Sequence, residues 1–291
     1  MQDTDPSPPN DLPHPDYGFV PPGHYYSPIP DWRQIRLDQA RIFGPVPAQI
    51  AGVALDIEQQ TGLLRELSKY YATMPFKAEK TDGLRYYFDN PSYAYCDAIF
   101  LHCMLRHLRP QRVVEIGSGY SSCVTLDTNE QFLDGKTELT FIEPYPQLLH
   151  SLLKAGDAER VTVMPQRLQD VDINVFQQLA AGDILFVDST HVSRIDSDVN
   201  RIFFEILPAL ASGVYIHFHD IFYPFEYPAA WIASGQAWNE LYLMRAFLQY
   251  NNAFDVVLMS TYLAQFNRSA LEEYMPLALR NTGGNIWLRK R

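Results

Sequence analysis

The sequence lacks the features that mark membrane-spanning and secreted proteins. No stretch of about 18 or more consecutive apolar residues occurs along the chain, which argues against a transmembrane helix. The first residues, Met1–Asn10, are acidic and rich in proline, and they contain neither the basic region nor the apolar core of a secretory signal. We therefore expect a cytoplasmic protein that has no membrane partner.

Cysteine and positive charge are also scarce. The three cysteines, Cys96, Cys103 and Cys123, are odd in number and lack a metal-binding spacing, so we expect buried free thiols. The formal net charge is −11, and no block of Lys or Arg precedes the terminal Arg289–Arg291. Such a charge repels a phosphate backbone. Nucleic acid is therefore not an expected partner, whereas a small-molecule substrate is.

Residues 1–50 differ in composition from the rest of the chain. Prolines recur from Pro6 to Pro30 and disfavour a regular helix or a central strand. Aromatic residues between Tyr17 and Trp32 are too frequent for a free linker. We expect the first dozen residues to be disordered and the rest to form an extended arm packed on the domain. The aromatic residues of this arm are compatible with a homodimer.

Residues 51–110 predict a helical N-terminal cap. Apolar residues recur with helical spacing over Ile57–Tyr71. Pro91 is suited to the first turn of a second helix, which is expected to end before Arg109 because Pro110 disfavours continuation.

Residues 111–291 alternate between short apolar runs and amphipathic stretches. The runs that predict strands are Val113–Ile116, Leu139–Ile142, Val161–Met164, Ile184–Val187, Val214–Phe218, Phe254–Met259 and Asn285–Leu288. The stretches that predict helices are Ser121–Asn129, Gln147–Leu153, Val175–Ala180, Asp198–Leu210 and, more weakly, Ser269–Tyr274. This order predicts an α/β fold, a Rossmann-like doubly wound sheet of seven strands whose last strand is antiparallel.

The first strand runs into a glycine-containing turn, Gly117-Ser118-Gly119, that opens the next helix. Glycine lets a backbone turn tightly and approach a ligand closely, and the helix N-terminus then faces that ligand. A plain strand-to-helix turn would also explain this pair of glycines. Three acidic or polar positions favour a ligand: Glu115 in the first strand, Glu143 after the second strand, and Gln166–Asp170 after the third. Ligands of open α/β sheets bind at these carboxyl ends.

At these residues the chain resembles the class I S-adenosylmethionine-dependent methyltransferases. The Glu-x-Gly-x-Gly run, Glu143 and the turn Leu168–Asp170 match that family in order and spacing, and the resemblance covers about residues 90–290. It implies a binding site in which the methionine half of S-adenosylmethionine contacts Glu115, Gly117, Ser118, Gly119, Ser121 and Ser122, the ribose contacts Glu143 and the adenine contacts Gln169. Ser121 departs from the family, since many members have a third glycine there. A dinucleotide-binding enzyme is the main competitor, but it usually needs Gly-x-Gly-x-x-Gly.

Histidines and aspartates are concentrated after the fourth and fifth strands. Asp188 and His191 follow the fourth strand, whereas His217, His219 and Asp220 end the fifth, so they are expected to meet at one edge of the sheet. One hypothesis is that Asp188, His219 and Asp220 bind Mg²⁺, Mn²⁺ or Fe²⁺, which would lower the pKa of an acceptor hydroxyl. The alternative is that the histidines bond one another and bind no ion. His217 lies deeper in its strand and is expected to be a hydrogen-bonded core residue.

This second group is similar to that of the metal-dependent O-methyltransferases, such as catechol O-methyltransferase and sugar O-methyltransferases. Asp188 matches their ligand after the fourth strand, and Asp220 matches one of the pair after the fifth. His219 is a departure, since that family generally has a carboxylate there. His191 stands where catechol-type enzymes have a lysine base, and imidazole can act as a general base near neutral pH.

Together these patterns predict methyl transfer from S-adenosylmethionine to a small hydroxylated acceptor, a sugar or a secondary metabolite, with His191 and Asp188 as catalytic residues and optional assistance by a metal. Three alternatives stay open: an N-methyltransferase on the same fold, a non-catalytic S-adenosylmethionine-binding protein, and a non-haem metal oxygenase. The aromatic loop Ile221–Trp231 lies where substrate specificity is usually determined.

Overall fold

A computed structural model of the protein describes residues 19–291. They form two compact units, one of residues up to Val46 together with Pro228–Ala237 and one of Pro47–Tyr227 together with Trp238–Arg291. The expected disorder of the first dozen residues lies outside the described part. The expected boundaries near residues 50 and 110 stay predictions.

The smaller unit contains a helix where the sequence predicts an extended arm. Helix α1 covers Trp32–Ile42, and the carboxylate of Asp31 caps it by accepting hydrogen bonds from the backbone N–H groups of Arg33, at 2.8 Å, and Gln34, at 3.4 Å. The prediction is wrong here because the run of prolines stops at Pro30. A good N-cap residue follows, and no proline interrupts the next turns.

Seven strands of the described chain form one sheet in the larger unit. They are β1 (Arg112–Ile116), β2 (Glu138–Ile142), β3 (Thr162–Met164), β4 (Ile184–Val187), β5 (Tyr215–His219), β6 (Phe254–Met259) and β7 (Asn285–Lys290). Their order is β3-β2-β1-β4-β5-β7-β6, and β7 runs antiparallel to both β5 and β6. The predicted doubly wound sheet with an antiparallel last strand is confirmed.

Helices precede the first strand and fill the connections between the strands. After α1 they are α2 (Ile57–Tyr71), α3 (Cys96–Leu108), α4 (Tyr120–Phe132), α5 (Gln147–Leu152), α6 (Asn174–Gln177), α7 (Asp198–Arg201), α8 (Leu207–Ala209), α9 (Ala229–Ala233), α10 (Glu240–Leu248), α11 (Ser260–Phe266) and α12 (Arg268–Tyr274). A π-helical turn, Ile202–Ile206, divides the single helix that is predicted over Asp198–Leu210. Helix α10, before β6, is absent from the sequence prediction. Helix α11 is absent as well, because the prediction expects a single weak helix between β6 and β7. None of the helices in the described chain is long and apolar enough to span a bilayer.

Helix α3 begins five residues later than the proline at position 91 predicts. The side chain of Asn90 accepts hydrogen bonds from the N–H groups of Ser92 and Tyr93, at 3.1 and 2.7 Å, and donates to the carbonyl of Tyr87 at 2.7 Å. These bonds hold residues 90–93 in a turn, since a short polar side chain competes with helix formation for nearby backbone groups. The helix then starts at Cys96 and ends at Leu108, before Arg109 as predicted.

The core of the larger unit is centred on α3. Every residue from Cys96 to Leu105 is buried, and the helix packs between α2 and α4 on one face of the sheet. A helix that is buried on all sides belongs to the centre of a domain. Each of the three cysteines lies in the described chain and is buried and unpaired, as predicted. Burial raises the pKa of all three thiols, so they are held protonated and unreactive.

A buried ion network attaches the segment before α3 to α4. The guanidinium of Arg85 donates to Asp127 at 2.6 Å, to Glu130 at 2.7 Å and to Asp157 at 2.5 Å, and the side chains of Arg85, Asp127 and Asp157 are almost fully buried. Burial raises the pKa of Asp127. Burial opposes ionisation of Asp157 as well, but there the hydrogen bond from Arg85 prevails and lowers the pKa. The same arginine lowers the pKa of Glu130.

We expect Arg85→Met to destabilise the protein by about 3–5 kcal/mol, because it leaves buried carboxylates without a counter-charge. Urea unfolding measures this loss. The matched control is Arg268→Met, since Arg268 pairs with Glu272 at 3.1 Å on the exposed surface and should contribute about 0.5 kcal/mol or less.

The same measurement has an expected pH dependence. Glu130 and Asp157 have folded pKa values below their unfolded values of about 4, so their contribution is complete above that pH and is lost as the pH falls through the folded values. The difference between wild type and Arg85→Met should therefore shrink in acid. A difference that is small at neutral pH, or that grows in acid, would contradict this account.

Candidate active site

Two adjoining cavities lie at the carboxyl edge of the parallel strands. The larger, of about 750 Å³, is bounded by the ends of β1, β2 and β4 and by the turn after β3. The smaller, of about 240 Å³, is bounded by the turn after β1 and by Ser92 and Tyr93. The two cavities share four wall residues: Gly117, Glu143, Asp188 and Ser189. The two cavities therefore form one elongated site.

Gly117 allows β1 and β4 to end close together. Its φ is +77°, a left-handed value that favours glycine, and a Cβ there would overlap the backbone carbonyl oxygen of Asp188. The N–H of Asp188 donates to the carbonyl of Ile116 at 2.8 Å, which fixes the same close approach. The glycine predicted from the sequence thus has a geometric reason.

Glu115 lies beneath the turn rather than in the wall of either cavity. It is fully buried, and its Oε1 accepts hydrogen bonds from the hydroxyls of Ser121 and Ser122 at 2.6 and 2.8 Å. Burial raises the pKa of Glu115 to about 8, against the effect of the two hydroxyls. Its expected contact with a ligand amine stays a prediction, whereas its support of the two serines is observed.

Glu143 and Gln169 line the larger cavity. Glu143 accepts hydrogen bonds from the backbone N–H groups of Tyr145, at 2.8 Å, and Ser118, at 3.3 Å, which joins the end of β2 to the turn after β1. Gln169 donates to the carbonyl of Asp196 at 2.6 Å. Both side chains face the larger cavity, and their expected contacts with ribose and adenine stay predictions.

The predicted group of acids and histidines comes together at the ends of β4 and β5. His191 Nε2 lies 3.3 Å from Asp188 Oδ1 and 3.5 Å from Asp220 Oδ2, and His219 Nε2 lies 3.4 Å from Asp220 Oδ1. His191 and Asp220 both have a φ of +59°. Left-handed backbone at residues other than glycine is uncommon and often occurs at functional sites.

Glu240 is a member of this group that the sequence does not reveal. Its carboxylate lies 2.8 Å from His191 Nδ1 and accepts a hydrogen bond from the Ser189 hydroxyl at 2.9 Å. The backbone N–H groups of Asn239 and Glu240 donate to the His191 carbonyl at 3.0 and 3.1 Å. The start of α10 therefore holds both the ring and the backbone of His191. The ring of Trp238 covers the imidazole, with 4.5 Å between ring centroids.

The carboxylates set the charge of His191. Burial disfavours the cation, but hydrogen bonds to Asp188 and Glu240 prevail and raise the pKa to about 10. Burial likewise opposes ionisation of Asp188, whose pKa is nevertheless lowered by His219 and His191. Burial raises the pKa of Asp220 to about 6. In this arrangement His191 is a cation at neutral pH and offsets part of the negative charge of the carboxylates around it.

His217 is a core residue, as predicted, but it is not hydrogen-bonded. Its ring stacks on Phe186 with 4.3 Å between centroids and approaches Trp287 at 4.9 Å. Neither ring nitrogen has a hydrogen-bond partner among residues 19–291. Burial lowers the pKa of His217 far below its usual value, so the ring is neutral.

The hypothetical metal ligands Asp188, His219 and Asp220 are neighbours, but their carboxylates face His191. Nowhere in the described chain does a group of three or more His, Cys, Asp or Glu side chains have the geometry of a metal site. The ligand set stays a prediction.

Comparison with known proteins points to methyl transfer. A family model described as a methyltransferase domain matches residues 114–221, from β1 to the end of β5. An uncharacterised protein of Archaeoglobus fulgidus is 35% identical over 166 residues, which cover 55% of this chain and 74% of that protein.

Two solved structures are similar at low identity. One is a methyltransferase of Podospora anserina with bound SAH, at 16% identity and a TM-score of 0.46, covering 90% of this chain and 98% of that one. The other is an O-methyltransferase of tomaymycin synthesis from Streptomyces achromogenes in complex with SAM, at 17% identity and a TM-score of 0.45, covering 82% and 91%.

The role of Gly117 is testable by substitution. Gly117→Ala should lower the free energy of unfolding by at least about 2 kcal/mol more than Gly182→Ala, because only the former also forces Cβ onto a backbone oxygen. Gly182 is the matched control: its φ is +90°, and none of the described residues has an atom within 4 Å of the Cβ it would gain. If both variants lose the same free energy of unfolding in thermal or urea denaturation, the loss comes from left-handed backbone strain alone, which costs about 1–2 kcal/mol.

Proposed function

Because the chain belongs to the class I S-adenosylmethionine-dependent methyltransferase family, we propose that it methylates a hydroxyl group of a small acceptor, a sugar or a secondary metabolite, beside His191. The observation that carries the proposal is the position of the acid–histidine group. Asp188, which contacts His191 at 3.3 Å, is at the same time a wall of both cavities. The acid–histidine group therefore directly adjoins the cavities proposed to bind the cofactor.

The residues of the elongated site fit the cofactor. Ser118 Oγ, at the smaller cavity, and Glu115 Oε2, beneath it, are buried and have no hydrogen-bond partner within residues 19–291. Such orphaned polar atoms suit a ligand that carries an amine and a carboxylate. Glu143 would bind the ribose hydroxyls, Gln169 the adenine, and the turn from Gly117 the methionine half. When bound, S-adenosylmethionine supplies a methyl group activated by a positively charged sulfur.

The chain's own contribution is to orient the acceptor and to receive its proton. The carboxylate of Asp188 is about one-third exposed, at 35%, and can accept a hydrogen bond from an incoming hydroxyl. His191 is oriented by Glu240 through Nδ1, which leaves Nε2 on the reacting side. An acceptor that displaces a carboxylate from Nε2 lowers the pKa of His191, since that contact favours the cation. The ring then gives up its proton to solvent, and the neutral imidazole can accept the proton of the acceptor hydroxyl as a general base.

N-methylation is the second candidate, and the charge of the site favours it. Four carboxylates, those of Asp97, Asp188, Asp220 and Glu240, surround only two imidazoles, so the site remains negative even when both rings are protonated. A negative site attracts a protonated amine. The amine must then give up a proton to the site before its nitrogen can accept the methyl group. A panel of paired alcohols and amines distinguishes the two acceptor classes.

Assistance by Mg²⁺, Mn²⁺ or Fe²⁺ at Asp188, His219 and Asp220 is a separate proposal. Two carboxylates and one imidazole are suitable donors for these ions. As arranged, however, both carboxylates face the Nε2 atom of His191, at 3.3 and 3.5 Å, and not a common empty point. No step of the mechanism above passes through a metal.

Cofactor binding is tested by Glu143→Gln. Loss of the carboxylate should weaken binding of S-adenosylmethionine about 10–100-fold in calorimetric titration, the range expected for a hydrogen bond to a charged group. Glu138→Gln is the matched control, since Glu138 is exposed at the opposite end of the same strand, β2. Equal affinity of the two variants would remove Glu143 from the site, and no binding to wild type would overturn the proposed function.

Proton transfer is tested by His191→Asn. With methyl-labelled S-adenosylmethionine and a panel of hydroxylated acceptors, kcat should fall about 10²–10⁴-fold, the usual contribution of a general base, while cofactor affinity stays unchanged. His150→Asn, in the exposed part of α5, should behave as wild type. Full turnover in His191→Asn would exclude it as the base.

The metal proposal has its own test. Loss of activity with EDTA and recovery with Mg²⁺ or Mn²⁺ would support a bound metal, and activity unchanged by EDTA would refute it.

A further inference from the structure

Asp97 carries a buried carboxylate that the proposed mechanism does not use. It is the second residue of α3, outside the segment that the family model matches, and only 3% of it is exposed. Its Oδ1 accepts hydrogen bonds from the N–H of Gly284 at 3.1 Å and from the side-chain amide of Asn285 at 2.6 Å. The carboxylate is therefore held between α3 and the start of β7.

The same oxygen faces His219. Asp97 Oδ1 lies 3.9 Å from His219 Nδ1, which is buried and has no hydrogen-bond partner in the described part of the chain. On the opposite side of the ring, Nε2 lies 3.4 Å from Asp220. The ring of Tyr93 packs against the imidazole with 5.1 Å between centroids. His219 is thus enclosed between two carboxylates that face its two different nitrogens.

The backbone around Asp97 is adapted to this carboxylate. Gly283 has a φ of +67°, and a Cβ there would lie 2.7 Å from Asp97 Cγ. Any larger residue at position 283 would therefore displace the carboxylate from its place beside His219. Position 283 therefore needs glycine for two reasons: the left-handed backbone of the turn and the space that the Asp97 carboxylate occupies.

We propose that Asp97 is a positioning residue that keeps a proton on His219 Nδ1 and thereby presents Nε2 to Asp220 and the acceptor. The arrangement repeats that of Glu240, which contacts Nδ1 of His191 at 2.8 Å and leaves Nε2 towards Asp188 and Asp220. A carboxylate that faces one ring nitrogen at ion-pair distance favours a proton on that nitrogen over the other. This inference rests on the proposed function, since it assigns a role within the same site.

The test is the protonation of the His219 ring in protein labelled with ¹⁵N-histidine. Long-range ¹H–¹⁵N NMR identifies the protonated nitrogen, and His219→Gln assigns the signal. In wild type, Nδ1 should carry a proton at neutral and at alkaline pH. In Asp97→Ala the form with a proton only on Nε2 should appear, whereas Asp97→Asn should retain the wild-type pattern because its amide oxygen can still accept the hydrogen bonds of Gly284 and Asn285 and so still faces Nδ1.

The controls separate positioning from general loss of structure. Asp183→Asn removes another buried carboxylate, which caps the N–H groups of Gln111 and Arg112 at 2.9 and 2.8 Å at the far end of the sheet, and it should leave His219 unchanged. In Asp97→Ala, kcat should fall about 10–100-fold with KM for S-adenosylmethionine unchanged. An unprotonated Nδ1 in wild type would overturn the inference, even if no variant folds. Failure of the proposed function would appear separately, as absence of cofactor binding.

Discussion

The site depends on the register between two parallel strands. Val187 of β4 pairs with Phe218 of β5, so the residues that follow each of them, Asp188 and His219, lie side by side at the edge of the sheet. Neighbouring β1 pairs with β4 in the same direction, which brings the glycine turn to the same edge. The cofactor cavities and the acid–histidine group are therefore consequences of one sheet edge. A shift of register by a single residue would point every one of these side chains to the wrong face.

Charge balance determines the chemistry that this edge can perform. Carboxylates from α3, from α10 and from the ends of β4 and β5 converge on two imidazoles. Nδ1 of each ring faces one carboxylate, Glu240 for His191 and Asp97 for His219, and Nε2 of both rings faces Asp220. Glu240, Asp97 and Asp220 are buried, whereas Asp188 is a wall of both cavities and contacts His191 from the side of the cavities. The carboxylates thereby fix the positions of both imidazole rings. The same arrangement is energetically unfavourable in that it buries several like charges in a small volume.

The sheet could be predicted from the sequence, but some of the connections and two of the four carboxylates around the histidines could not. Buried parallel strands are continuous apolar runs, so Ile184–Val187 is recognisable locally, and strand ends identify Asp188 and Asp220. Helix α10 has only nine residues, and α11 follows β6 without an intervening turn, so neither gives a long periodic signal. Glu240 and Asp97 reach the site only through folding: Glu240 is 49 residues from His191 in the chain, and no local spacing relates them.

The most direct test of the central claim is a crystal structure with bound S-adenosylhomocysteine. The account predicts adenosine in the larger cavity with its ribose hydroxyls on Glu143, and the sulfur at the junction of the two cavities next to Asp188. This position would direct a transferred methyl group towards His191. A ligand bound elsewhere, or one whose sulfur is separated from Asp188 by the glycine turn, would contradict the claim that this edge of the sheet is where methyl transfer takes place.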